Sequence, residues 1–250
     1  MPLVSIITAT YNSENEILET YYSIKNQSVI DFEWLITDDC SSDNTRSLLV
    51  NLAKDDDRIK VFLNDVNSGA AVSRNNSLKH ASGEFIAFID SDDLWVRDKL
   101  EKQIKFMRKN GVAFSFTAYS LIDKCGKDLN RIVDSRLKNP VTYNDMLFKK
   151  ATLGCSTVML KRNGFENISM PNIRTGQDYA LWLNLLKETE FAFPISEVLT
   201  RYRILPNSIS RNKFKKAIRQ WSIYRDLEKL SLIKSLFCFF FYAWRAVFRK

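Results

Sequence analysis

The chain has 250 residues, 45% hydrophobic and 26% charged, with one histidine (His80), four cysteines and a net charge of +8. That size and apolar content provide one substantial core or two closely joined small ones, which excludes a disordered polypeptide. With one histidine, Ser-His-Asp catalysis, histidine-rich zinc hydrolysis and histidine general-base schemes have almost no raw material, so acid and base chemistry falls to carboxylates.

Met1-Pro2-Leu3-Val4-Ser5 lacks a basic segment leading into an apolar run and a cleavage site, so no secretory signal is expected and the protein is placed in the cytoplasm. Cys40, Cys125, Cys155 and Cys238 are widely spaced without a CxxC pair, which predicts reduced thiols rather than a zinc site or disulfide framework. The charge is uneven. Residues 211–250 hold eleven Lys/Arg and two Asp/Glu, net +9, whereas residues 1–210 hold 26 basic and 27 acidic residues, net −1. A near-neutral body with a basic, aromatic tail fits an anionic membrane surface better than a nucleic-acid groove.

Along the chain, β-branched and aromatic runs at residues 4–9, 33–37, 59–63 and 85–89 alternate with helical stretches at 16–25, 45–53 and 71–80. Asn12 or Ser13, Ser42 and Ser68 are candidate caps for these helices. The alternation predicts an α/β fold with a mostly parallel central sheet flanked by helices. Ligands of such sheets lie beyond the carboxyl ends of the strands, which directs attention to Thr10-Tyr11-Asn12, Asp38-Asp39, residues 64–68 and Asp90-Ser91-Asp92-Asp93. Farther on, 99–109 reads as a helix, 113–121 as a strand, 122–139 as less regular, 156–161 as a strand, 177–187 as an apolar-faced helix and 199–204 as a strand ending at Pro206-Asn207-Ser208.

Asp90, Asp92 and Asp93 follow an apolar strand, so three carboxylates crowd a buried strand end. Their repulsion is relieved if a hard divalent cation, Mg²⁺ or Mn²⁺, sits among them and bridges to a diphosphate. The competing reading is a solvated turn capping the next helix. Asp38-Asp39 ends a second strand on the same rim, where a carboxylate can accept from a base N–H or ribose hydroxyl, or form an Asx-type turn.

These residues resemble the bacterial family 2 glycosyltransferases with a GT-A fold. The resemblance runs through residues 4–12, Asp38-Asp39-Cys40-Ser41-Ser42-Asp43, Asn67-Ser68-Gly69 with Arg74-Asn75, and residues 83–93, in family order. Arg174-Thr175-Gly176-Gln177-Asp178 with Trp182-Leu183 extends it to about residue 210. Within the family it looks most like enzymes of teichuronic acid, O-antigen and capsule assembly. The resemblance implies an inverting transferase of residues 1–210, with a nucleotide-binding half (1–110) and an acceptor half (111–210), followed by a C-terminal tail (211–250). Thr10, Tyr11 and Asn12 would line the nucleotide pocket and Asp39 would read uracil, making a UDP-sugar the donor. Arg74 would lie near the diphosphate, Asp90 and Ser91 near the ribose and donor sugar, and Asp92, Asp93 or both would hold Mn²⁺ or Mg²⁺.

Asp178 resembles the family base, normally preceded by Glu where this chain has Gln177. From the residues alone it is equally a carboxylate compensating a helix dipole. Arg201-Tyr202-Arg203 with Ser208-Ile209-Ser210 resembles the family's late motif, in which Arg203 would offset the leaving group's charge; the alternative is a surface strand. His80 reads as an ordinary helix residue, and Trp95 and Trp182 as packing residues.

Residues 235–244 are apolar or small between Lys234 and Arg245, shorter than the roughly 20 residues of a spanning helix. Helical spacing sets Lys234, Arg245 and Arg249 on one face and Leu236, Phe239, Phe240, Ala243 and Val247 on the other. An interfacial amphipathic helix is expected, assisted by Lys213, Lys215, Lys216 and Arg219, which would hold the enzyme at the inner face of the membrane beside a polyprenyl-diphosphate-linked saccharide acceptor. The alternative is a helix packed on the core or in a homodimer interface. A sugar nucleotidyltransferase would want a Gly-rich, Arg-containing loop where Thr10-Tyr11-Asn12-Ser13 stands, and a non-catalytic nucleotide-sugar-binding or scaffold protein has no need for Asp178.

Overall fold

The computed structural model describes residues 1–205 and 213–248, without the side chains of 213–215 and 246–248. The calls on Asn207 to Ser210, the side chains of Lys213, Lys215 and Val247, Arg249, Lys250 and the boundary at residue 210 lie outside the described residues.

The first half alternates as expected: β1 (Val4–Thr10), α1 (Ile17–Lys25), β2 (Phe32–Asp38), α2 (Thr45–Asp55), β3 (Ile59–Leu63), α3 (Ala70–Lys79) and β4 (Phe85–Phe88). β5 (Leu94–Trp95), α4 (Lys99–Asn110), β6 (Phe114–Ile122), β7 (Asp128–Val133), β8 (Val141–Thr142), α5 (Tyr143–Leu147), β9 (Val158–Lys161), α6 (Gln177–Thr189) and β10 (Phe191–Arg203) follow. A single sheet runs in the order β3-β2-β1-β4-β9-β6-β10-β5, with β7 beside β6 and β8 beside β10. The half built from the first four strands is parallel through β3, β2, β1 and β4. The other half is mixed, because β9 runs antiparallel to both β4 and β6. The region read as irregular, 122–139, contains β7, and the strand expected over 199–204 begins eight residues earlier, at Phe191.

Side chains of successive strand residues point to opposite faces, and the core divides accordingly. Val4, Ile6, Trp34, Ile36, Phe85, Ala87 and Ile89 pack on one face with residues of α1 and α4. Ile7, Leu35, Ile86 and Phe88 pack on the other with α6. Between strands, Glu33 accepts from Ser5 Oγ (2.7 Å), Ser82 N (2.8 Å) and Ser82 Oγ (2.7 Å), and pairs with Lys60 (2.9 Å). Trp182 is fully buried and Trp95 5% exposed, so both are packing residues, and His80 stacks on Phe62 at 4.2 Å.

The C-terminal segment forms α7 (Lys213–Ser222), a π-helical turn (Ile223–Leu227) and α8 (Leu232–Phe248). Ile223, Tyr224, Leu230 and Cys238 are buried in the same cluster as α6. The tail is therefore docked on the body along one side. Among the described residues no helix is long and apolar enough to cross a membrane.

The predicted helix caps serve another purpose. The cap positions of α1, α2 and α3 are Glu16, Asn44 and Gly69, and none has a side-chain cap bond. Ser13 N instead donates to Thr45 Oγ1 (2.8 Å), Ser42 N to Asn12 Oδ1 (2.9 Å) and Ser68 N to Asp39 Oδ1 (2.8 Å). The backbone N–H groups of these serines thus donate to side chains of neighbouring segments, and Thr45, Asn12 and Asp39 tie one strand-end loop to the next.

Candidate active site

The carboxyl ends of β1, β2 and β4 form one rim. Asp39 N donates to Thr10 O (2.8 Å), Asn64 N to Asp38 O (2.9 Å), and the Ser13 and Ser91 hydroxyls share a 2.8 Å hydrogen bond. Tyr11 is 50% exposed on this rim, and Asn12 adopts φ +50°, a left-handed conformation that Asn tolerates better than most residues. Thr10 Oγ1 is buried without a hydrogen-bond partner. Buried hydroxyls are normally paired, so this orphan at the end of β1 is an exception on the rim.

Asp39 is 3% exposed and already employed. Its Oδ1 accepts from Asn64 Nδ2 (2.9 Å) and Ser68 N (2.8 Å), and its Oδ2 from Gly69 N (2.7 Å). One acceptor direction, on Oδ2, is left for a base N–H. Gly69 has φ +92°, and a Cβ there would lie 3.2 Å from the guanidinium of Arg174, which donates to Asn67 Oδ1 (2.7 Å). Arg174 is thereby brought from the segment just before α6 onto the loop that Asp39 organises.

Arg74 is 6% exposed and pairs with Asp90. Burial alone would lower its pKa, but the Cys155 sulfur and the Asp90 and Asp178 carboxylates drive it above the ordinary guanidinium value, so it stays a fixed cation. Its Nε has no partner. Asn75 exchanges two 2.8 Å hydrogen bonds with the Met170 backbone, fastening the segment that leads to α6.

The acidic cluster separates into unlike members. Asp93 is 1% exposed; its Oδ1 accepts from Arg203 N (2.8 Å) and its Oδ2 from Ser156 Oγ (2.5 Å), while Ser156 Oγ itself accepts from Asp90 N (2.9 Å). Asp92 is only partly buried and has no such partners among the described side chains. Burial and repulsion from Asp90 and Glu16 raise its pKa to about 7 against the pull of Arg203. A carboxylate crowded in this way fits a hard cation that neutralises it; Asp93 is pushed up in the same direction by burial and by Asp92 and Asp90, but each of its oxygens already accepts one hydrogen bond from the protein. Among the described residues no three ligand side chains converge.

Two expected binding residues take inward positions. Ser91 is 9% exposed and its hydroxyl meets Ser13. Arg203 was expected at the leaving diphosphate, but its side chain is 1% exposed and its donors are directed at protein acceptors: Nε to Asp92 O (2.8 Å), Nη1 to Lys124 O (2.9 Å) and Asp123 O (3.5 Å), Nη2 to Glu19 (2.6 Å). In this geometry the guanidinium braces the backbone of the acidic loop. No signal in the Arg-Tyr-Arg triplet distinguishes bracing from ligand binding, because the partners are carbonyls brought in by the fold.

Asp178 occupies the first turn of α6, after Gly176 at φ +77°. It is partly buried, and its Oδ1 accepts from Tyr179 N (2.8 Å). The residues that sequence reasoning missed are Ser156, Cys155 and Glu16. Each is a common residue type in unremarkable sequence, and only chain crossing sets it against the cluster.

The chain matches the profile described as "Glycosyl transferase family 2" over residues 5–169. It is 46% identical over 249 residues to TuaG of Bacillus subtilis (strain 168), named as a teichuronic acid biosynthesis glycosyltransferase, covering 100% of this chain and 98% of TuaG. It is 41% identical over 226 residues to WfgD of Escherichia coli, the UDP-Glc:alpha-D-GlcNAc-diphosphoundecaprenol beta-1,3-glucosyltransferase, covering 90% of this chain and 86% of WfgD. Among solved structures, residues 1–349 of S. aureus TarS in complex with UDP-GlcNAc superpose with a TM-score of 0.74 at 22% identity, over 89% of this chain and 64% of that longer one, a likeness of fold. The parallel half of the sheet, the acidic strand ends and these matches agree: the chain belongs to glycosyl transferase family 2.

Proposed function

We propose that the protein transfers a hexose or N-acetylhexosamine from a UDP-sugar, with inversion, to a saccharide carried on a polyprenyl diphosphate, in the synthesis of a bacterial surface polysaccharide. The observation that carries this reading is the buried Arg74 guanidinium, which pairs with Asp90 and whose pKa is raised by the charges of both Asp90 and Asp178. This supports a reading in which Asp178 and the Asp90–Asp93 loop serve one site, as an in-line displacement would need. TuaG and WfgD support the pathway and acceptor class by their names, and the β linkage named for WfgD is what inversion at an α-linked donor carbon gives.

In this reading Thr10, Tyr11, Asn12 and Asp39 receive the nucleoside, Arg74 faces the diphosphate, and Asp90 faces the ribose and donor sugar. Asp92 would hold Mn²⁺ or Mg²⁺, which offsets charge on the departing nucleoside diphosphate. Asp178 takes the proton of the acceptor hydroxyl as its oxygen bonds to the anomeric carbon and the bond from that carbon to the phosphate oxygen breaks. Gln177 leaves this carboxylate without a second acid beside it. The enzyme works at the inner face of the cytoplasmic membrane, where such an acceptor is presented.

The test is a screen of UDP-sugars with a diphosphate-linked N-acetylhexosamine acceptor, run with Mn²⁺, with Mg²⁺ and with chelator. Metal-dependent transfer with inverted linkage is expected. Hydrolysis alone with every donor, or full activity in chelator, would overturn the corresponding part of the reading.

A further inference from the structure

α8 carries a stripe of large apolar side chains that the fold leaves outside. Ile233 is 82% exposed, Leu236 54%, Phe237 56%, Phe240 59% and Trp244 52%. Their spacing places them on one side of a helix. The opposite side is fixed to the body: Ser235 and Cys238 are fully buried, and Phe239 meets Trp221 edge to face at 5.6 Å. Phe239 therefore leaves the outer face on which helical spacing alone had set it, and Trp244 joins that face. Because the inner side is locked, the helix cannot turn its stripe inward.

We propose that α8 lies flat on an anionic phospholipid surface, with this stripe in the headgroup–acyl boundary. The inference rests on the lipid-linked acceptor proposed above and adds the lipid chemistry and orientation. The charge selects the occupant. Residues 211–250 carry net +9 in sequence, and among their described side chains Lys216, Arg219, Arg225, Lys229, Lys234 and Arg245 stand against Asp226 and Glu228, an excess that acidic headgroups complement and a second copy would repeat. At 17 residues, about 25 Å, with Lys234 and Arg245 toward its ends, α8 suits the plane of the interface.

The same helix reaches the candidate base through packed contacts. Phe237 and Phe241 meet Phe148 at 5.8 and 5.3 Å, and Arg245 Nη1 donates to Lys149 O (3.4 Å). Lys149 Nζ sits 3.1 Å from the ring centre of Tyr179, the residue after Asp178. Docking the stripe on lipid thus fixes the height of the α6 N-terminus above the bilayer.

The test is flotation of the full chain, without substrates, with phosphatidylglycerol-containing and with phosphatidylcholine vesicles. Binding to the anionic vesicles is expected, weakened at least about tenfold by Leu236→Asp with Phe240→Asp and separately by Ile233→Glu. In both variants, turnover of a short-chain soluble acceptor should match the parent protein, which also reports folding. Equal vesicle binding by parent and folded variants would overturn the proposal. So would a parent dimer that the substitutions turn into a monomer, since a second copy would then cover the stripe. Absence of transfer in every protein, with the expected vesicle binding, would refute the proposed function and leave this inference standing.

Discussion

Arg203→Met removes a guanidinium whose stem methionine can replace but whose donors it cannot. Asp92 O and Lys124 O, held at 2.8 and 2.9 Å, lose their charged donor in a closed setting, at about 1–2 kcal/mol each. Glu19 is 54% exposed and returns to water, so its 2.6 Å pair adds little. The expected net loss is about 2–4 kcal/mol of unfolding free energy, read from urea denaturation at pH 7. Arg203→Lys, with one compact ammonium, should recover about half. Loosening the Asp92 backbone should also weaken the apparent affinity for Mn²⁺ by about tenfold or more, in the manner of groups that orient a metal ligand. A loss below about 0.5 kcal/mol with unchanged Mn²⁺ dependence would refute the bracing role.

Asp178→Asn should retain UDP binding by calorimetry while transfer falls at least about 100-fold; near-normal turnover would remove it as base. Asp92→Asn should raise the Mn²⁺ concentration needed for half-maximal activity with little effect on stability. Asp93→Asn should instead lower stability by about 1–3 kcal/mol, since it disturbs the bonds from Ser156 and Arg203 N. Glu33 has burial pushing its pKa up, but bonds from Lys60, Ser5 and Ser82 hold it at about 2 against an ordinary 4.5. A depressed carboxylate stabilises the fold above its unfolded value and ceases to as pH falls toward the folded one, so Glu33→Gln should cost about 2 kcal/mol at pH 7 and much less at pH 2.5. Equal losses at both pH values would refute the assignment. In Gly83→Ala the added Cβ would lie 2.5 Å from Ser5 N and 2.8 Å from Val4 C, so a shift in thermal midpoint of several degrees is expected.

Local pattern was enough for the first half of the sheet. β1 to β4 and their helices follow from apolar periodicity, and the acidic strand ends from the rule that parallel strands carry their ligands at one rim. The same pattern failed for β7 and for the first eight residues of β10. An edge strand exposed along its length has no alternation to read, and β10 changes register with β6 twice.

The sequence by itself determined which residue types were available: carboxylates but almost no histidine, three of them after β4, one at the start of α6, and a basic apolar tail. Tertiary structure alone decided what each of them bonds to and how far it is buried. Asp92 and Asp93 are neighbours of identical chemistry and both are crowded by charge, yet the turn before β9 with Ser156 and the end of β10 with Arg203 give each oxygen of Asp93 a protein donor and leave those of Asp92 without one. Arg203 faces carbonyls rather than the rim because α1, β5 and the 123–124 turn close around it. Hydrogen-bond saturation depends on which segments cross in space, and that information is spread over residues more than 60 positions apart.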